Sequence, residues 1–177
     1  MDNINQEIIL IDRLKNYYNN SKTFKLLYDI SNNPKISLRV IDWFVTNYSK
    51  KNNIVYNIIK NEKSMQFNVY TSYKSQLKSY SKKFFDPFCR RQRINIGFDE
   101  NSITTTIGQL NFFKWAIDNN ILKFIYNNYA DIETDMNRCM VIHNKIKKSS
   151  IKKRKELSKS SYLGLNINRL NTLIYFD

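Results

Sequence analysis

The chain has 177 residues, with 29 Lys and Arg against 15 Asp and Glu, a formal net charge of +14 and a sequence pI near 9.7. That length supports one domain with its own core, and 42% hydrophobic with 14% aromatic residues excludes a disordered polyelectrolyte. No apolar run nears the ~18 residues of a spanning helix, and the start MDNINQEIIL is polar and acidic, so the expectation is an intracellular protein without a signal peptide or a membrane partner.

In chain order, residues 5–19 place Ile8, Ile11, Leu14 and Tyr18 at helical spacing behind Asn3 or Asn5 as a cap. A second short helix is expected over 23–30. SNNP at 31–34 is a turn signal, and Ser37 then caps a helix over 38–48 that turns Val40, Ile41, Phe44 and Val45 inward. Residues 54–59 and 65–70 are β-branched or aromatic and read as paired strands. Over 71–84, Tyr73, Leu77, Tyr80 and Phe84 form one helical stripe beside a second of Lys74, Lys78 and Lys82, and Asp86-Pro87 ends the helix.

RINIGF at 93–98 and SITTT at 102–106 flank Asp-Glu-Asn and read as a β-hairpin. The helix expected over 107–119 carries Leu110, Phe113, Trp115, Ala116 and Ile117 and needs burial nearly all round. Asn119-Asn120 breaks it, and helices follow over 121–129 and 132–146. The fold class is therefore α+β: a mostly helical body, a small antiparallel sheet of two hairpins, and a basic C-terminal tail. Residues 1–144 form the globular domain and 145–177 the tail, whose apolar end LGLNINRLNTLIYF is able to dock back as a strand or short helix.

The charge is unevenly placed. Asn (25), Ile (23) and Lys (21) share A/T-rich codons, whereas there are only 2 Ala, 3 Gly and 2 Pro, so base composition accounts for part of the lysine. It does not account for the clustering. Lys and Arg minus Asp and Glu comes to +4 over 1–73, +6 over 74–93, −3 over 94–144 and +7 over 145–177.

The first basic stretch, YTSYKSQLKSYSKKFFDPFCRRQRI at 70–94, interleaves Lys74, Lys78, Lys82, Lys83, Arg90, Arg91 and Arg93 with six aromatics and one acid, Asp86. Cations neutralise phosphates and release counterions, and aromatics stack on unpaired bases. The arginines follow a Pro-initiated turn, where their planar forks suit phosphate. The competing reading makes the aromatics core and the lysines a solvated face. The second stretch holds Lys152, Lys153, Arg154 and Lys155 between serines 149, 150, 158, 160 and 161, whose phosphorylation would cancel the charge. Phosphate contacts there would carry no base information.

Other chemistry is poorly represented. Cys139 and His143 stand at i, i+4 with Asp135 one turn earlier, but paired zinc-ligand elements are absent, so no metal or cofactor is expected. There is one His, no GxSxG, P-loop or GxGxxG, and no convincing carboxylate cluster. The expectation is a non-enzymatic protein.

SLRVIDWFVTNYSKKNN at 37–53, YKSQLKSYSKKFFDPFCRRQRI at 73–94 and TTIGQLNFFKWAIDNNIL at 105–122 together resemble a protein family of large nucleocytoplasmic DNA viruses of protists, the mimivirus-like group. The resemblance covers about 37–122, leaving out the N-terminal helix and the tail. It implies a viral setting, in the host cytoplasm at a virus factory or in the virion, with the nucleus as an alternative. It carries over no catalytic or binding residues. The expected function is association with DNA or RNA through the phosphate backbone. The alternative is an interaction or scaffold module that docks a protein partner through 107–129 and the C-terminal apolar segment.

Overall fold

A computed structural model describes residues 2–33, 36–60 and 62–149, with side chains described between 6 and 145. The chain runs through helices α1 (Asp2–Tyr18), α2 (Ser21–Asn32) and α3 (Leu38–Trp43), a π-helical turn (Phe44–Tyr48), and α4 (Ser49–Lys51). Strands β1 (Val55–Lys60) and β2 (Lys63–Asn68) lead into α5 (Val69–Phe85). Then come β3 (Arg93–Phe98), β4 (Asn101–Thr106), α6 (Ile107–Asp118), α7 (Ile121–Asn127) and α8 (Tyr129–Ser149). The class is α+β, with two antiparallel two-stranded hairpins, β1–β2 and β3–β4, among the described residues. Among the described residues, 2–138 form one compact unit and 139–149 belong to a second. Pro34 of the expected turn, the run 152–155 and the apolar C-terminal segment lie outside the described residues.

Local chemistry explains most boundaries. The Ser37 hydroxyl accepts from the Val40 amide and starts α3. Val40, Ile41, Phe44 and Val45 are all buried, as the spacing predicts. The helix expected through 48 instead widens at Phe44–Tyr48, where the Ser49 amide reaches back five residues to the Phe44 carbonyl. The hydroxyls of Thr46 and Ser49 donate to the carbonyls of Asp42 (2.6 Å) and Val45 (2.9 Å). The second strand ends two residues before its expected limit. The Asn68 side chain accepts from the Thr71 amide at 2.9 Å, and this cap takes Val69 and Tyr70 into the first turn of α5. Both hairpins close through two-residue turns, since Lys60 pairs with Lys63 and Phe98 with Asn101.

The core is organised around α6. Ile107, Gly108, Leu110, Asn111, Phe112, Phe113, Trp115 and Ala116 are all buried. Tyr73, Phe85, Phe112 and Trp115 form one aromatic cluster, with ring centroids 5.6–6.3 Å apart. Phe44, Phe124, Tyr56 and Phe67 form a second, joined to the first where Phe67 meets Trp115 at 6.3 Å. α1 closes over α6 through Tyr18, whose buried hydroxyl donates to the Leu110 carbonyl at 2.8 Å.

α5 departs from its expected register. Ser81 has φ 60° and ψ 169°, a conformation essentially confined to glycine and strained by roughly 1–3 kcal/mol in other residues. It interrupts the helix after Tyr80. The stripe Tyr73, Leu77, Tyr80, Phe84 is therefore broken, and Phe85, fully buried, takes the core position that the spacing assigns to Phe84.

Asp42 on α3 is half-buried, and burial first, then the nearby charge of Asp86, raises its carboxyl from the ordinary 3.8 to about 6. A carboxyl with a raised folded pKa binds its proton more tightly in the folded state, so stability falls as pH rises from near 4 to near 6. Asp42→Asn is expected to melt at a higher temperature than the parent at pH 7.5, with the gain shrinking towards pH 4. A gain that persists undiminished at pH 3.5 in thermal unfolding would contradict this assignment.

Candidate nucleic-acid interface

Burial of one face of α5 decides which of its residues remain available. The Trp115 indole donates to the Ser72 hydroxyl at 3.1 Å, and Tyr73 packs among Phe85, Phe112 and Trp115. Lys74 and Lys78, one turn apart, are left exposed. Lys82 is exposed too, but the break at Ser81 takes it out of their row. Lys83 is different: its ammonium sits 2.5 Å from Glu7 Oε2 on α1 and 4.5 Å from the Phe84 ring centroid. Its charge is partly spent on fastening two helices.

The segment after α5 is a built turn. The Cys89 amide donates to the Asp86 carbonyl at 3.2 Å, and Asp86 Oδ1 accepts from the Phe88 amide at 2.9 Å, with Pro87 fixing φ at the second position. α6 pins it from below. Gln109 Nε2 donates to the Pro87 carbonyl and Asn111 Nδ2 to the Phe84 carbonyl, each at 3.0 Å. A β-carbon at Gly108 would lie 2.9 Å from the Asp86 carbonyl oxygen, so only glycine fits there without movement. This turn holds Phe88 at 53% exposure and leads to exposed Arg90, Arg91 and Arg93, the last opening β3 opposite Thr106. Among the described residues none of Lys74, Lys78, Lys82, Arg90, Arg91 or Arg93 forms an ion pair.

Two grooves flank Phe84. One, of about 470 Å³, lies between α1 and the break in α5 and includes Arg13 and Lys78. The other, of about 370 Å³, includes Glu7, Lys83 and Arg91. The interleaved stretch is thus sorted: Tyr73 and Phe85 are core, Tyr70, Tyr80 and Phe84 are half-buried, and Phe88 is the exposed ring of the six. Arg13 and Phe88 were not singled out from the sequence. Phe88 was recognisable as the residue after Asp-Pro in a turn. Arg13 had no local signal, because α1 reaches the site only through tertiary packing.

Asp135, expected on one face with Cys139 and His143, is buried and engaged by Lys51, Arg138 and the Trp43 indole. The Lys51 hydrogen bond above all holds its carboxyl below the usual range. Among the described residues no group of three His, Cys, Asp or Glu is placed to hold a metal. The aromatic residues of α6, considered as a docking surface, are buried inside the chain itself, whereas Tyr126 on α7 is 74% exposed.

A family profile described as a family of unknown function, DUF7197, matches residues 2–171. The chain belongs to that family. The match runs beyond the 37–122 of the sequence resemblance and takes in the N-terminal helix and the basic tail as far as residue 171. One relative, "Uncharacterized protein L507" of Acanthamoeba polyphaga mimivirus, is 40% identical over 164 residues, covering 88% of this chain and 59% of the relative. The chain thus spans about three fifths of that relative's length. No solved structure matches the chain.

Because the turn and α6 approach so closely, Gly108→Ala is expected to destabilise the protein by about 1–3 kcal/mol. Urea unfolding measures it, and a midpoint within error of the parent would show that the close approach is not a constraint.

Proposed function

We propose that the protein is a non-enzymatic, nucleic-acid-associated component of a viral factory or virion, binding DNA or RNA through the phosphate backbone. The observation that carries this reading is the set of exposed cations Arg90, Arg91 and Arg93, without an ion pair among the described residues, held beside exposed Phe88 by the pinned turn and continued by Lys74 and Lys78. Guanidinium forks grip phosphate oxygens bidentately, and an exposed ring among them offers a base something to stack on. Lys83 takes a structural part through Glu7. Lys152, Lys153, Arg154 and Lys155 would add sequence-independent attraction.

Binding of this kind is steeply salt-dependent, with log K falling by about 0.9 per phosphate contact on duplex DNA as log salt rises. The full-length protein, titrated by fluorescence anisotropy with labelled DNA and RNA over a salt series, is expected to show that dependence. Replacing Arg90, Arg91 and Arg93 together by Gln should flatten the slope by about 3 on duplex DNA and leave the melting temperature unchanged. Substituting 152–155 by Gln measures the tail separately. Absence of binding to either nucleic acid at low salt defeats the proposal.

A further inference from the structure

The groove beside Ser81 combines features that the rest of the described surface does not. Its volume of about 470 Å³ lies within the range of small-ligand sites, about 300–1,000 Å³. Two cations from different elements, Arg13 on α1 and Lys78 on α5, line it, and neither forms an ion pair among the described residues. Tyr80 and Phe84 line it with aromatic surface, and Ile9, half-exposed on α1, adds apolar surface.

The opening exists because the backbone is held where a serine does not settle by itself. In an unbroken helix Tyr80 and Phe84, at i and i+4, would stand as neighbours on one face. The extended, positive-φ conformation of Ser81 between them prevents this, and both residues line the cavity instead. Tyr80 is backed by Phe85, its ring 6.2 Å away and 15° from parallel, so it is braced against the core. A strained residue in the wall of a cavity is the observation from which a functional site is inferred.

We infer that this groove receives one unpaired nucleobase of a single strand, with Arg13 and Lys78 on the adjoining phosphates. The inference rests on the proposed nucleic-acid reading and narrows it. A base needs an aromatic wall and a phosphate needs a cation close by, and the groove supplies both within one cavity. A base still paired in a duplex is stacked and cannot enter without being unpaired. The site therefore favours single strands, while the exposed arginines after α5 serve either form.

The test compares a single-stranded 12-mer with a duplex of the same length, using the full chain at one salt concentration. The single strand is expected to bind at least tenfold more tightly. The substitution Arg13→Gln, at the groove cation that is not part of the exposed set Lys74, Lys78, Arg90, Arg91 and Arg93, should remove most of that preference while weakening duplex binding less than threefold. In parallel, a photoreactive 5-iodouracil oligonucleotide should cross-link to Tyr80 or Phe84. Equal affinity for the two forms, a preference that survives Arg13→Gln, or cross-links confined to other segments would each overturn the groove assignment while the general reading stands. Binding to neither form would defeat both.

Discussion

A twelve-residue helix with almost no face for water is the constraint on which this fold depends. α6 buries eight of its residues, so chain must arrive on every side of it. α1 does so through Tyr18, α5 through Ser72 and Tyr73, and β2 through Phe67. The helix is not wholly apolar, and its buried Asn111 must find a partner or leave polar atoms unsatisfied. It finds the Phe84 carbonyl, just past the break in α5. The break and the buried amide thus belong to one solution.

The same constraint sorts the basic stretch. Rings that α6 can reach are drawn inward, and the cations beside them have only the solvent side left. The mixture of aromatic and basic residues is therefore the product of two separate demands, a core to fill and a surface to charge. Only where the chain turns at Asp86-Pro87 does a ring, Phe88, stay out with the arginines. That turn is anchored to α6 by Gln109 and by the absence of a side chain at Gly108, so the arginines are presented from a fixed base.

What could be read in advance was what local chemistry decides. The Ser37 cap, the Asp99-Glu100 turn, the Asn119-Asn120 break and the buried character of 107–119 follow from short-range preferences and periodicity. The break at Ser81 was not legible, because Phe84 and Phe85 offer two registers and the choice between them is made by Gly108 and Asn111, more than twenty residues away. The widened turn at Phe44–Tyr48 is similar: the pattern of inward residues is compatible with an ordinary helix, and packing selects the other form. Of the candidate interface, the lysine row and the arginines were visible. The placement of α1, with Arg13, on the groove beside them was not, since no spacing rule links residues on separate helices.

Among the described residues, five adopt positive φ, and none is glycine: Asn53, Glu62, Ser81, Asp99 and Asn120. The two described glycines, Gly97 and Gly108, occupy places where space is short. A chain with only three glycines has little glycine to place at positive-φ positions, and these are held by asparagine, aspartate and even glutamate and serine. Asparagine and aspartate tolerate this region; the others bear more steric strain. The fold therefore carries at these positions a backbone strain that glycine would not bear. The dense aromatic core around α6 is the reserve that allows it to do so.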